Sequence, residues 1–142
     1  MISNAVWDDA FARAKRVADG AGLPLLDPLL TYGDDSPDRY WTLPLADASS
    51  DRMGFGEVQN EEEGSVELSL FIRKGSTATP DMLMLCGAMS AAFRKAGEHA
   101  WPSGLSYRGQ HLSAPTLDEV GNWYVVFLTV AYSYQTRILQ ES

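Results

Sequence analysis

The chain has 142 residues, 45% hydrophobic and 21% charged, which fits one folded domain and excludes collagen-like, mucin-like and fully disordered classes. Lys and Arg number 11 against 19 Asp and Glu, and the formal net charge of −8 opposes binding to phosphate backbones, whose affinity comes mainly from neutralising cations. The single cysteine, Cys86, excludes a disulfide framework and a multi-cysteine zinc site, and fits a reducing compartment such as the cytoplasm.

The amino-terminal text MISNAVWDDAFARAKR has charges within its first ten residues and no signal-peptide-like apolar stretch. Residues 4 to 19 place Trp7, Ala10, Phe11, Ala14, Val17 and Ala18 at steps of three and four, the spacing of an amphipathic helix. Ser3 or Asn4 caps its start, Asp8 and Asp9 suit the positive end of its dipole, Lys15 and Arg16 suit the other end, and Gly20 and Gly22 stop it. Residues 23 to 36, with Pro24, Pro28 and the turn residues Gly33, Asp34 and Asp35, read as irregular with one short edge strand at Leu29 to Tyr32. A first strand is predicted over Arg39 to Asp47, where Pro44 demotes the far half to an edge or a bulge.

Residues 46 to 64, with three glycines and the triplet Glu61, Glu62 and Glu63, read as a solvated loop or the tip of a long hairpin. The next segment, SVELSLFIRKG, alternates Val66, Leu68, Leu70 and Ile72 with Glu67, Ser69, Phe71 and Arg73, the period of a strand. Thr79-Pro80-Asp81 announces a helix with a capping hydroxyl, a proline whose missing N–H costs nothing and an acid at the positive end. Met82, Leu85, Cys86, Met89, Phe93 and Ala96 carry that helix to a stop at Gly97. LSYRGQHLS reads as a strand, APTLDEVGN as a loop, and Trp123 to Thr136 as a central strand, because apolar residues on both faces imply burial on both. The longest apolar run, Trp123 to Tyr132, is far short of the roughly 20 residues of a membrane-spanning helix.

The predicted fold is α+β: two helices on one face of a mainly antiparallel sheet of four to five strands, in the order α-β-β-α-β-β. Residues 1–142 form a single domain, with 137–142 frayed at the end.

The sequence offers little chemistry. His99 and His111, the only histidines, have no ligand partners at one-face helical spacing, and a metal site needs three or four converging ligands. His99 fits better as a partner for helix-end carbonyls. Glu57 and Glu61 to Glu63 lack the alternating ligands and the glycine of a calcium loop, so a solvated hairpin tip outweighs a cation site. Cys86 lies beside Leu85 and Met89, a packing position rather than an electropositive one. GFGEVQ does not open a helix as a phosphate loop must, and no G-x-S-x-G elbow is present. Trp123, Tyr124, Tyr132 and Tyr134 have only Arg108 and Arg137 near them, which favours sheet packing over a nucleic-acid platform.

The succession of an amphipathic helix, a Pro-rich segment, the aromatic strand PDRYWTLPL, the strand GSVELSLFIRKG, the helix DMLMLCGAMSAAFRKAG and the closing strand NWYVVFLTVAYSYQ resembles the tail terminator, or tail completion, proteins of long-tailed bacteriophages, along nearly the whole chain. The resemblance implies a structural, lambda-terminator-like minor tail protein. Such a protein forms a ring, usually a hexamer, on the last ring of the tail tube, stops tube growth and presents a surface for head attachment. The implied partners are further copies of itself, the tail tube protein and a head-tail connector protein, with DNA passing through without specific binding. The implied location is the tail or neck of a virion assembled in the bacterial host cytoplasm. No catalytic residue, cofactor or metal comes with the family. Oligomer and tail contacts are expected on the hairpin region at Met53, Phe55, Glu57, Glu61, Glu62 and Glu63, helped by edge strands. The nearest alternative is a head-tail connector, stopper or neck protein. A small-molecule or peptide binding module with a pocket between helix 79–97 and the sheet is the alternative from another class, and an enzyme using an Asp, His99 or His111 comes last.

Overall fold

The computed structural model describes residues 3–26, 37–44, 48–53, 57–94, 101–119 and 121–139. The described elements are α1 (Asn4–Ala21), β1 (Leu25–Leu26), β2 (Arg39–Thr42), β3 (Ala48–Met53), β4 (Glu57–Arg73), α2 (Thr79–Ala92), β5 (Leu105–Leu112), β6 (Thr116–Leu117) and β7 (Trp123–Leu139). They form an α+β fold on one sheet of seven described strands, more than the four to five expected. Its spine is the antiparallel pair β4 and β7, in register from Glu57 opposite Leu139 to Arg73 opposite Trp123. At roughly 3.4 Å per residue this ladder is about 55 Å long. β2 pairs with one half of β4 and β3 with the other half, while β5 and β6 line the far edge of β7. Among the described strands only β1, parallel to β2, departs from the antiparallel pattern.

Alternation along the spine decides the core. Val66, Leu68, Leu70 and Ile72 of β4 and Val126, Leu128, Val130 and Tyr132 of β7 are buried on the side that takes the helices, with Trp41 of β2 at 1% exposure. Each such aliphatic side chain contributes about 1.5–3 kcal/mol on leaving water. α1 adds Val6, Ala10, Ala14 and Ala18, and α2 adds Met82, Cys86 and Met89. The small alanines of α1 permit the close approach of its backbone to α2.

Several boundaries differ from the sequence expectation for identifiable reasons. α1 starts at its cap Ser3, whose hydroxyl accepts from the Val6 N–H at 3.4 Å, and runs to Ala21, so Gly20 lies inside it and Gly22, at φ +73°, supplies the stop. Thr79 does not cap α2: the cap position belongs to Ala78, with no side-chain hydrogen bond, and Thr79 and Pro80 lie in the first turn. α2 ends at Ala92, before the expected Ala96, and Phe93 takes the cap position. Beyond it, Lys95 and Gly97 lie outside the described residues, as does the edge strand predicted at Leu29 to Tyr32. The described edge strand is instead Leu25–Leu26. The strand expected to reach Asp47 stops at Thr42, just before Pro44, which lacks a ladder donor.

Of the two readings of residues 46 to 64, a long hairpin forms among the described residues, and the correction is that its acidic triplet lies in a strand rather than at the tip: β3 pairs with the first half of β4, and β4 pairs on its other side with β7. Glu and Asn are poor strand formers, but a strand held on both edges has its backbone groups satisfied whatever its side chains prefer. The same ladder carries residues 137 to 139 into β7, where fraying was expected from 137 onward. Within the predicted loop at 114–122, Thr116–Leu117 forms β6 against β7.

The two helices are fixed to each other by one buried cation. Arg13, 2% exposed, pairs through Nε with Asp9 at 2.7 Å, and its Nη1 donates to the Ala92 carbonyl at the end of α2 at 3.1 Å. Tyr107 of β5 donates its hydroxyl to the same Asp9 carboxylate at 2.6 Å, and the guanidinium lies 5.5 Å from its ring. α1, α2 and the sheet thus meet at a single ion pair, Arg13 with Asp9. Where β5 begins, Gly104 sits at φ +84°, and a Cβ there would stand 2.3 Å from the Gln135 carbonyl oxygen.

Two substitutions test this construction. Asp9→Ala strands a buried guanidinium and should cost about 3–5 kcal/mol of unfolding free energy in denaturant titration. Gly104→Ala combines left-handed strain with a backbone clash and should cost about 2–3 kcal/mol in the same measurement. Values near those of a control on the exposed face of α1, Arg16→Ala, would mean that neither site holds the fold.

Candidate functional site

The residues expected at an interface separate into three groups. Met53 and Glu57 take part in backbone pairing, opposite Gln59 and Leu139, and Phe55 lies outside the described residues. Glu61 and Glu63 point away from the helices, since they alternate with the buried positions of β4; Glu63 is exposed, and Glu61 accepts from the Ser133 hydroxyl at 3.3 Å. Glu62 has the opposite parity and is 7% exposed. Its Oε2 accepts from the Ser3 N–H at 3.2 Å and from the Tyr132 hydroxyl. The triplet is therefore no solvated tip: its middle member is an internal anion at the start of α1, where the helix dipole favours a negative charge.

Among the described residues no helix lies on the other face of the sheet, which is mostly half-exposed, although Thr42, Ser69 and Ser133 on it are buried, and it changes character along its length. At one end Tyr40 and Phe71 stack at 4.9 Å between centroids, Trp123 meets Tyr40 edge-on at 5.6 Å, and the Arg73 guanidinium sits 4.6 Å from the Trp123 ring while pairing with Asp38 at 2.8 Å. At the other end lie Glu61, Glu63 and Glu67, and Asp51 of β3 holds the register position opposite Glu61. β7 is central, as expected, because both its edges are paired. Its second face is half-covered rather than buried: Trp123, Val125 and Phe127 are all partly exposed.

Two clefts flank α2. One, of about 270 Å³, is lined by Ile72, Thr77, Thr79, Met82, Pro115 and Tyr124, where helix and sheet meet as a binding module would require, but it brings no acid, base or cation together. The other, of about 410 Å³, is lined by Phe93, Arg94, Trp101, Tyr107, Arg108 and Gln110 at the opposite end of α2. Gln110 is held there by donating to the Ser90 carbonyl at 3.1 Å and accepting from the Ser90 hydroxyl. The sequence does not announce this cleft, because Arg94 reads as a complement to the helix dipole and Arg108 as a strand residue. The signal that could have found it is cationic residues recurring at 94, 95 and 108 in an acidic chain.

His111 lies exposed on β5, opposite Thr129, and His99 is outside the described residues. Among the described residues no three His, Cys, Asp or Glu side chains gather as metal ligands would, and no helix is long and apolar enough to cross a membrane. Cys86 is buried, as its neighbours indicated, and burial pushes its thiol up to about 11. Tyr107 is raised by burial and then by its bond to Asp9, and Tyr132 by burial and then by Glu62.

All three groups keep their protons in the fold and lose them more readily in the unfolded chain. Their contribution is fully present below the unfolded values of 9.0 for the thiol and 10.0 for the phenols, and is lost as pH rises above them. Denaturant midpoints should therefore fall as pH rises past about 9. Tyr107→Phe with Tyr132→Phe should be less stable at neutral pH yet show a shallower alkaline decline, and an unchanged slope would remove the tyrosines from this account.

No protein-family model matches the sequence, and no curated protein matches it. Among solved structures, the chain is similar to one from a structure described as the virion of a native gene transfer agent (GTA) particle. The two are 12% identical with a TM-score of 0.59, and the match covers 89% of this chain and 92% of the other. At that identity the likeness establishes a shared fold, nearly from end to end.

Proposed function

We propose that this protein is a structural assembly protein of a phage-like particle, and specifically a tail terminator. It closes into a ring, hexameric as the family resemblance implies, on the end of the tail tube, stops its growth and offers the surface to which the head attaches. The observation that carries the reading is the fold shared over nearly all of both chains with a component of a gene transfer agent virion. It is supported by the order of elements, and by a surface whose most distinctive chemistry is a charged sheet face and an arginine cleft rather than an acid, base and nucleophile in one pocket. The partners are further copies of the chain, the tail tube protein and a head-tail connector protein, and the location is the tail or neck of the particle.

The charge distribution gives the ring a sense. The sheet face away from the helices carries Glu61, Glu63 and Glu67, and in a ring with that face inward the channel is anionic. Like charge keeps DNA from adhering to the wall as it slides past. The helices then form the outside of the ring, and the two sheet edges meet the neighbouring copies.

Deleting the gene from a genome that produces the particle tests this reading by electron microscopy. The expected result is headless tail tubes of uncontrolled length. Tails of normal length beside detached heads would identify a connector or stopper instead, and intact particles would sink both.

A further inference from the structure

We infer that the outer face of α2 is a pairing surface for a second copy of this chain, whose own α2 lies across it antiparallel about a two-fold axis. The contact uses the helix side of the molecule, so it goes beyond the ring reading and leaves the sheet edges free for a ring. Between Asp81 and Arg94, both exposed, the sequence carries no charged residue. Met82, Cys86, Met89 and Phe93 are buried in the core, and the exposed residues of that stretch are Leu83, Met84, Gly87, Ala88 and Ala91. A surface helix turns charged side chains to water, whereas a helix that is apolar all round is normally covered on every side. Leu83 and Met84, with Leu112 and Leu117, are the exposed large hydrophobics among the described residues. Leu112 and Leu117 stand opposite Leu128 and Tyr124, on the helix side of the sheet, so apolar contact with another molecule belongs to that side.

Gly87 marks where the second molecule comes closest. Glycine weakens a helix interior, and nothing within the chain calls for it: a Cβ there would meet no atom within 4 Å. A neighbouring helix does call for it, because small residues at a crossing let two backbones approach to the short end of the usual spacing of roughly 8–10 Å. Charge and shape then choose the occupant. Gly87 and Ala88 lie midway between Asp81 and Arg94, so when a second α2 crosses there in the opposite direction, each copy's Asp81 comes level with the other's Arg94. A parallel pair would set like charges level with each other at both ends. The antiparallel crossing also puts Met84, the most exposed of the large hydrophobics, against Ala91 of the second copy, on both sides of the axis. Met84 and Ala91 share one face of the helix, being seven residues apart, and a large side chain facing a small one lets the two surfaces interlock. Such self-complementarity, in which one residue meets a second and the second meets the first, is what a two-fold contact requires.

α2 has 14 residues and is about 21 Å long, so the contact falls below the roughly 1,200–2,000 Å² of stable interfaces, and pairing is tested at about 0.1–1 mM protein. Sedimentation of the full chain should show a concentration-dependent doubling of mass, of single chains or of rings. Gly87→Glu, which improves helix propensity and so should melt no lower than the wild type, should raise the dissociation constant of that doubling at least tenfold. Oxidising a mixture of Met84→Cys and Ala91→Cys chains should give a mixed disulfide dimer, with neither variant cross-linking alone. Ala88→Cys, beside the axis, should cross-link with itself, and Arg16→Cys on the exposed side of α1 should not. The native Cys86 is buried and gives no background. No doubling of mass up to about 1 mM, doubling untouched by Gly87→Glu, or Met84→Cys cross-linking with itself as readily as with Ala91→Cys would each overturn the inference, and would leave the ring reading standing. A wild type that does not double alone but binds tail tube protein, with Gly87→Glu abolishing the binding, would assign the face to that partner and overturn it too.

Discussion

The register of β4 against β7 is the constraint on which the rest of the molecule depends. Once Val66 faces Val130 on the helix side, period two fixes the side of every other residue on both strands, and a slip of one position would turn the aliphatic core outward. The ladder is much longer than the helices require. Its inner half, residues 65 to 73 of β4, carries the hydrophobic face, and its outer half extends the same alternation into polar text. There the parity that buries Leu68 also buries Glu62, and the parity that turns Glu67 outward exposes Glu63. A stretch of three identical residues thereby acquires two roles without any difference in side-chain chemistry.

Glu62 and Arg13 show how the fold uses charge inside an otherwise apolar layer. Each is almost fully withdrawn from water, and each has partners from more than one element: Glu62 joins the start of α1 to β7, and Arg13 joins α1 to the end of α2 and, through Asp9, to β5. The Arg13–Asp9 ion pair adds little net stability, since desolvation offsets most of the attraction, and for both side chains removing a partner is costly. Their effect is to specify position. Two helices with small or flexible contact residues, Ala10 and Ala14 on one and Met82 and Met89 on the other, could slide over an aliphatic sheet at little cost. The hydrogen bonds at Asp9, Glu62 and Ala92 select one arrangement.

How much of this could be read from the sequence follows from which signals are local. The period of SVELSLFIR and the spacing of Met82, Cys86 and Met89 reflect one-sided burial, so the strand, the helix and the α+β class were legible. The acidic strand was not, because its stability lies in backbone pairing with β3 and β7, and composition alone opposes it. Arg13 was legible in principle: it falls three residues after Ala10 on the buried stripe of α1, and a cation there requires an internal partner. The hairpin residues read as one acidic group, whereas their division into inner and outer members needed the register of β4. The arginine cleft was hidden for a different reason. Its residues come from a helix end, a loop and a bulged strand, and no periodicity joins them.

The uneven covering of the sheet bears on how copies of the chain could be arranged. α2 exposes Leu83 at 52% and Met84 at 73% and has no basic residue in its last turn, while the sheet face away from the helices holds an aromatic group at one end and carboxylates at the other. Parts of the sheet's edges are blunted, by the two-residue strands β1 and β6 and by the bulge in β5, whereas the 6 residues of β3 have no described strand on their outer side and leave an open edge where strand pairing between copies can start.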